Sequence, residues 1–190
     1  MMSRIPLGMF YSYANVNTPI IGQTDSLGQT QSQTFTNNRM WTVDVLVNPD
    51  YEFTLTGLHL KAGRGARNEG WRMGQVNLLR AQLQRLMELD PNRNQLVMGD
   101  LNTTPGSEEF NALLGEQSDL TFVDPLAGTG AFSHPSDSLF WRIDHILPNQ
   151  QMTPELVQTS VEIARPLNDS DMIAISDHLP VVAEFVTTEQ

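Results

Sequence analysis

Residues 95–102, Gln95-Leu96-Val97-Met98-Gly99-Asp100-Leu101-Asn102, are an apolar run that ends in a polar tetrapeptide. The pattern predicts a short buried strand over residues 95–99, and Pro105-Gly106 breaks the run soon afterwards. Asp100 and Asn102 therefore lie where a strand passes into a loop, which is where open α/β sheets usually bind ligands. A tight turn would bring an anionic acceptor and an amide to one spot. This pair suits a water beside a phosphoryl oxygen, although Asp and Asn are also ordinary turn residues.

The composition limits the classes of function. The 190 residues include 22 acidic and 11 basic side chains, which gives a net charge of −11, and 39% of the residues are hydrophobic. These values are typical of a globular protein, and we expect one domain over residues 1–190. The acidic balance disfavours non-specific binding to duplex DNA or to anionic membranes. The chain has no cysteine, which excludes disulfides and thiolate metal sites.

Membrane and targeting signals are not found in the sequence. No apolar run reaches membrane-spanning length, so we expect no membrane insertion. The amino terminus resembles neither a signal peptide nor a transit peptide. The localisation stays open, because a longer precursor would allow a secreted or periplasmic location.

Alternation and helical period predict the remaining elements. We expect strands over residues 5–13, 40–47, 52–60, 120–123, 140–147 and 180–186, with a weaker strand from Val161. We expect a helix over residues 71–89 capped by Asn68, and a shorter helix over residues 107–114 capped by Ser107. Residues 14–38 lack a hydrophobic period and predict a mobile loop or an exposed hairpin. Hairpin-connected strands with few helices indicate α+β or mixed-sheet α/β layering.

Acidic and imidazole side chains mark three further junctions. His59 ends a predicted strand, Asp144 interrupts an apolar one, and Asp177-His178 precede Pro180. A carboxylate inside an apolar strand costs free energy unless it is paired or bound to a cation. Each position has an ordinary alternative, such as a semi-buried histidine or a turn. Taken together with the tetrapeptide, they offer carboxylate oxygens that suit Mg²⁺ or Mn²⁺.

The main concentration of basic residues directly follows His59. Lys61, the only lysine, lies with Arg64 and Arg67 among glycines, and Arg72 follows just beyond. We expect this loop to face an anion, because glycine-rich backbone and guanidinium groups can approach a phosphate closely. A solvated loop is the alternative.

Four motifs occur in a fixed order along the chain. They are Gly57-Leu58-His59-Leu60-Lys61, Gly99-Asp100-Leu101-Asn102, Arg142-Ile143-Asp144-His145-Ile146 and Ser176-Asp177-His178-Leu179-Pro180-Val181. The series resembles that of the endonuclease/exonuclease/phosphatase superfamily, which includes deoxyribonuclease I-like nucleases, abasic endonucleases, inositol polyphosphate 5-phosphatases and sphingomyelinases. Ser3-Arg4-Ile5-Pro6-Leu7 also resembles a strand that precedes this region in many members. The resemblance implies an α/β fold in which two mixed β-sheets pack face to face with flanking helices.

The resemblance also implies roles for the central residues. Asp100 would activate or orient the attacking water, and Asn102 would hold that water and a phosphate oxygen. Asp144 would orient His178, which would stabilise charge on the phosphoryl oxygens. The implied reaction is in-line hydrolysis of a phosphoester, helped by Mg²⁺ or Mn²⁺.

The remaining roles concern the metal and the substrate. Asp177 would bind the divalent metal directly or through water, and His59 would contact the phosphate or help to protonate the leaving oxygen. Lys61 and Arg64 are candidates for substrate binding. Trp141 resembles the tryptophan beside the pocket of abasic endonucleases, with sheet packing as the alternative. The substrate would be a phosphoester such as DNA or a nucleotide, and the acidic balance favours a small or single-stranded one.

One departure from the family pattern concerns the amino terminus. Members begin with a strand, followed by a helix that ends in Gln-Glu, whose Glu is a principal metal ligand, and this sequence contains no Gln-Glu pair. We therefore expect a domain that is incomplete at its N-terminus. The chain would be a fragment, a short form completed by a partner or by swapping, or a non-catalytic remnant. An exposed sheet edge would then favour self-association. Metal affinity and activity would be low for this chain alone, and the alternative functions are a catalytically silent binding module and a phosphatase of small phosphoesters.

Overall fold

The computed structural model describes residues 3–34, 39–116 and 118–187 of the chain. In these ranges the strands are β1 (Leu7–Ser12), β2 (Asn17–Thr24), β3 (Thr30–Thr34), β4 (Met40–Asn48), β5 (Tyr51–His59), β6 (Gln95–Asp100), β7 (Asp144–Pro148), β8 (Glu162–Ile163) and β9 (Val181–Val182). The helices are α1 (Ala66–Leu89), α2 (Glu108–Leu114) and α3 (Asp169–Ile175). The predicted mixed α/β architecture is confirmed, with one large sheet and two small ones among these strands.

The large sheet has the strand order β1-β4-β5-β6-β7. Its neighbours are antiparallel except for β5 and β6, which are parallel. Parallel neighbours need a long crossover connection, and α1 supplies it. The carboxyl ends of β5 and β6 therefore meet at one edge of the sheet, where the antiparallel β7 begins.

The two longer connections of the sheet place α1 and α2 on one face. Their apolar side chains, with those of the sheet, form the main core, which includes Val76, Leu79, Leu83, Val97, Phe110, Leu113 and Leu147. The capping prediction for Ser107 is confirmed, because its Oγ accepts a hydrogen bond from the Phe110 N–H at 3.2 Å. Within the described residues, no helix has both the length and the apolar character needed to cross a bilayer.

The start of α1 differs from the prediction. The helix begins at Ala66, so Asn68 lies inside its first turn and the prediction that Asn68 is the cap is wrong. Gly65 holds the cap position, and Glu69 Oε1 accepts a hydrogen bond from the Gly65 N–H at 3.1 Å. The acidic side chain of the first turn thus satisfies the backbone N–H of the cap residue itself, while no side chain at the cap position accepts from the helix.

The polar segment before β4 adopts the hairpin of the two predicted alternatives. β2 pairs antiparallel with β3, while residues 35–38 of this segment lie outside the described residues. The hairpin packs on α1, where a Cβ on Gly74 would lie 1.9 Å from the Pro19 carbonyl oxygen. Glycine on the helix thus lets the hairpin backbone approach closely, and Ile20 is buried as a result.

Three predicted strands are shorter than expected. Over residues 120–123 only Phe122 makes a β-bridge, to Asn149, and over residues 140–147 the strand begins at Asp144. The last strand contains only Val181–Val182, and α3 was not predicted. All three predicted strands show the apolar alternation. Outside the short pairings, however, their backbone groups bond to isolated partners rather than to a continuous neighbouring strand.

The second face of the sheet carries a smaller core and an open groove. Val43, Val45, Leu55 and Leu96 pack there with Met152. The groove has a volume of about 830 Å³, and His59, Asp144 and His178 line it together with apolar side chains that include Trp41, Met98, Ile146, Met172 and Ile175. Side chains of the edge strand β1 are also exposed, among them Met9 and Phe10. Self-association through these surfaces stays a prediction.

Unfolding should depend on pH through His145, which is 2% exposed and packs against Phe110 with ring centroids 4.8 Å apart. Burial, with the charge of Arg142, lowers the pKa of His145 to about 4. Between pH 6.5 and 4 the unfolded chain therefore binds a proton that the folded chain does not, so stability falls as the pH falls through this window. The loss approaches about 3 kcal/mol near pH 4. Urea unfolding of the wild type and His145→Gln across this range tests the expectation, and parallel pH profiles would contradict it.

Candidate active site

Three of the predicted residues lie side by side across the large sheet. In the strand registers His59 is the partner of Asp100, and Asp100 is the partner of Asp144. His59 Nε2 lies 3.4 Å from Asp100 Oδ2. The row exists because β5 and β6 end, and β7 begins, at the same edge of the sheet.

The turn after β6 brings Asp100 and Asn102 together. Asn102 has a φ of 49°, and its backbone N–H donates to Asp100 Oδ1 at 2.8 Å. Its side-chain Nδ2 donates to Asp100 Oδ2 at 3.0 Å and to the Leu60 carbonyl at 3.1 Å. Gly99 has a φ of 136°, and a Cβ there would lie 2.0 Å from the Leu58 carbonyl oxygen, so this strand end requires glycine. With its Nδ2 engaged, the amide leaves Oδ1 as its remaining ligand atom.

Asp144 and His178 form the second half of the site. His178 Nδ1 lies 2.8 Å from Asp144 Oδ2. Because a carboxylate only accepts hydrogen bonds, the ring donates from Nδ1, and Nε2 is left for another partner. The hydroxyl of Ser133 donates to the same Asp144 oxygen at 2.7 Å, which holds the carboxylate from the other side.

The electrostatic environment raises two pKa values in this site. Burial raises the pKa of Asp100, and the charge of Asp144 adds to the effect, whereas the Asn102 N–H and the two neighbouring histidines oppose it. For His178, burial lowers the pKa, but the hydrogen bond and charge of Asp144, with the charges of Asp100 and Asp177, outweigh burial and raise it. A carboxyl that holds its proton more readily and an imidazole that stays charged more readily thus lie together. Perturbed pairs of this kind are frequent at functional sites.

Asp177 lies close to His134 and His178. Its carboxylate is 76% exposed, and its Oδ2 is 3.7 Å from His134 Nε2. The His134 and His178 rings are 4.5 Å apart between centroids. The carboxylate of Asp177 therefore lies close to two imidazole rings.

Two basic residues, Lys61 in the loop and Arg72 just beyond it, make contacts that stabilise the loop itself. Arg72 forms a buried ion pair with Glu109 at 3.0 Å and donates to the carbonyls of Lys61 and Gly63, so it holds the loop in place. Lys61 Nζ donates to the Ala62 carbonyl and lies 5.6 Å from the Trp71 ring centroid. The predicted substrate residue Lys61 is thus engaged by its own loop and by α1.

Arg64 and Trp141 are brought together beside the acid row. The Arg64 guanidinium lies 4.4 Å from the Trp141 ring centroid, which is cation–π distance. Phe140 packs edge-on against Trp141 and is itself exposed. These side chains line a cleft of about 1210 Å³ that Asn102 also reaches. The cleft therefore combines a positive charge and aromatic surface next to the polar turn.

Ser133 and His134 belong to this site but were not singled out in the sequence. Both lie in the Gly/Ser/Pro-rich loop over residues 125–139, where serine and histidine are ordinary surface residues. Their places depend on the loop bonding back to Trp141, whose N–H donates to the His134 carbonyl at 2.9 Å. No local pattern in the loop predicts that contact.

Residues 23–178 match the model of the Endonuclease/Exonuclease/phosphatase family. The chain belongs to the endonuclease/exonuclease/phosphatase family. This match covers the sheet edge, the basic loop and the Asp144–His178 pair. No curated protein sequence matches the chain significantly.

Several solved structures share the fold at low sequence identity. A 3'-5' exonuclease from Neisseria meningitidis superposes with a TM-score of 0.63 and 20% identity, over 96% of this chain and 73% of that one. The human nocturnin catalytic domain gives 0.58 and 18%, over 97% and 61%. A mannosyl-6-phosphatase from Bacteroides thetaiotaomicron gives 0.53 and 16%, over 94% and 67%. The chain thus spans 61% of the nocturnin domain, and 45% of an endonuclease/exonuclease/phosphatase from Beutenbergia cavernae.

Proposed function

We propose that the chain is a divalent-metal-dependent phosphoester hydrolase of the nuclease or phosphodiesterase type. The observation that carries the proposal is the meeting of Asp100, Asn102 and the Asp144–His178 pair at one sheet edge. Similar structures include an exonuclease and a sugar phosphatase, which are enzymes that act on phosphoesters. This arrangement offers a base, an amide and an oriented imidazole around one position.

The proposed mechanism uses each group for one task. Asp100, with its raised pKa, accepts a proton from the attacking water as it approaches phosphorus. Asn102 holds the water through its free Oδ1, because both hydrogens of its Nδ2 are engaged by Asp100 and Leu60. His178, kept charged by Asp144, donates from Nε2 to the phosphoryl oxygens as negative charge develops there. His59, half-exposed beside Asp100, contacts the phosphate or supplies a proton to the leaving oxygen.

The donor set fits Mg²⁺ or Mn²⁺. Mg²⁺ is commonly held through one or two carboxylates, with waters and substrate phosphate completing its shell. Asp177 would hold the ion directly or through water. Its carboxylate is exposed and lies close enough to His178 to raise the pKa of that imidazole. When bound, the ion would neutralise developing charge on the phosphoryl group.

The cleft favours a small or single-stranded substrate. Trp141 would hold Arg64 in place to contact a phosphate, because the guanidinium lies over its ring. The exposed neighbour Phe140, which lines the same cleft, offers ring surface on which a base or sugar can stack. Binding to long duplexes depends on many phosphate contacts, which a chain with a net charge of −11 is poorly equipped to make. Single-stranded DNA or a nucleotide is therefore the proposed substrate class.

The test compares substrates and variants in one assay. The chain is incubated with Mg²⁺ or Mn²⁺ and single-stranded DNA, plasmid DNA, bis-p-nitrophenyl phosphate or p-nitrophenyl phosphate. We expect hydrolysis of diesters, strongest on single-stranded DNA, and a loss of at least about 10²-fold in Asp100→Ala and in His178→Ala. Asp137→Ala, which removes an exposed carboxylate of a nearby loop, should retain wild-type activity. Activity confined to the monoester would favour a phosphatase, and inactivity on all four would favour a binding module.

A further inference from the structure

We propose that His134, Asp177 and His178 form a binding site for a borderline transition-metal ion such as Zn²⁺ or Co²⁺, distinct in ligand set from the proposed Mg²⁺ site. Within the described residues, this is the group in which three such side chains bring ligand atoms within 4.8 Å of one another. Two imidazoles and one carboxylate suit Zn²⁺ or Co²⁺ better than Mg²⁺, which prefers oxygen ligands.

One pair of the trio is already close to the spacing of two ligands on one ion. His134 Nε2 and Asp177 Oδ2 are 3.7 Å apart, which is too far for a hydrogen bond. Two ligands on a tetrahedral Zn²⁺ lie about 3.4 Å apart, because each metal–ligand bond is about 2.1 Å long. A movement of a few tenths of an ångström by the exposed carboxylate of Asp177 therefore brings this pair to coordination distance. The ligand atoms of the whole trio lie within 4.8 Å of one another, so closing the site on one ion needs at most about 1.4 Å of side-chain movement.

Each imidazole has one nitrogen available for an ion. His134 Nδ1 is buried and has no hydrogen-bond partner among the described residues, so the ring can bind only through Nε2. His178 Nδ1 is committed to Asp144, which leaves Nε2 on the side of the cluster. A carboxylate that accepts from the second nitrogen of a histidine is the usual support of a metal-bound imidazole. The Asp144–His178 pair thus provides one imidazole ligand that is already oriented by a carboxylate.

An ion in this site would block hydrolysis, an effect that rests on the proposed function. His178 cannot donate Nε2–H to a phosphoryl oxygen while that nitrogen coordinates an ion. Asp177 would be withdrawn at the same time from the proposed Mg²⁺ site. We therefore expect Zn²⁺ to inhibit the Mg²⁺-supported reaction through the three residues named.

The decisive measurement is binding, which does not depend on activity. Co²⁺ is titrated into the wild type and followed by its visible absorption, and Zn²⁺ is then added to displace it. We expect one four-coordinate Co²⁺ per chain, and affinities at least about 10-fold lower in His134→Ala and in Asp177→Asn. Asp177→Asn alters an exposed side chain and should leave folding intact. Asp144→Asn should weaken binding by about 10- to 100-fold through its effect on His178.

A matched control uses the other histidine of the active site. His59→Ala removes an imidazole that lies outside the trio, and it should bind Co²⁺ as the wild type does. Wild-type affinity in both His134→Ala and Asp177→Asn would overturn the site. Zn²⁺ should also inhibit the wild type more strongly than His134→Ala in the Mg²⁺ assay. Trio-dependent Co²⁺ binding without any hydrolysis would support the site and refute the proposed function, whereas equal inhibition of both proteins would refute the blocking effect.

Discussion

Asp144→Asn is expected to lower kcat/KM by about 10³- to 10⁴-fold on the substrate that the wild type hydrolyses. The carboxylate of Asp144 can only accept hydrogen bonds, and its Oδ2 lies 2.8 Å from His178 Nδ1. This contact therefore keeps the proton of the neutral ring on Nδ1. An asparagine can present its NH₂ group to the same nitrogen and favour the opposite tautomer. It also removes the charge that helps to raise the pKa of His178. Nε2 would then be a poor donor to the phosphoryl oxygens.

Two comparisons separate this effect from general damage. Ser133→Ala removes the hydroxyl that supports the same carboxylate, and it should cost far less, about 10-fold, because the charge remains. Asp137→Asn makes the same chemical change at an exposed position and should be neutral. The NMR signals of the His178 ring nitrogens give a readout that does not need activity. A wild-type tautomer together with wild-type kcat/KM in Asp144→Asn would contradict the role assigned to this pair.

Arg142→Met is expected to lower the free energy of unfolding by about 3–5 kcal/mol. Arg142 and Asp124 are 7% and 6% exposed, and the guanidinium donates to both carboxylate oxygens, at 2.6 and 2.7 Å. Removing the arginine would leave a buried carboxylate without its counter-charge, and the cost of that unpaired charge is the main term. The double variant Asp124→Leu/Arg142→Met should regain most of the loss, because neither charge then remains buried.

An exposed pair offers the matched control. Arg165 donates to Asp169 at 2.6 Å, but both side chains are largely in solvent. Arg165→Met should therefore cost less than about 1 kcal/mol. Urea unfolding with a common m-value measures all three variants. Equal losses at Arg142 and Arg165 would show that burial is not what makes the first pair important.

Arg142 also shows how the motif around Asp144 is built. Its partner Asp124 comes from the preceding loop, and the next residue, Ile143, accepts a hydrogen bond from the Leu101 N–H at 2.8 Å. The arginine therefore anchors the chain just before Asp144 enters the sheet. The charged residue of this motif stabilises the fold, while the carboxylate two residues later faces the site.

Local signals in the sequence predicted elements whose hydrogen bonds are local. Ser107 caps α2 through a bond three residues away, and the alternation over residues 40–60 predicts the hairpin of β4 and β5. Predictions that needed a distant partner were less accurate. Residues 120–123 and 140–143 alternate as strands do, yet no continuous neighbouring strand pairs with them.

The candidate site shows the same difference between what local motifs predict and what depends on distant partners. The sequence by itself determined the family, through four ordered motifs, and it named the acid, amide and imidazole residues that the sheet edge collects. Only the tertiary structure decided that Arg64 rather than Lys61 lines the cleft. It also decided that Arg72 is paired with Glu109 and that the His134 ring lies beside the His178 ring. The physical reason is that a motif records residue types at short spacing. The partner of a side chain depends on strand register and loop packing between segments that lie 30 to 45 residues apart.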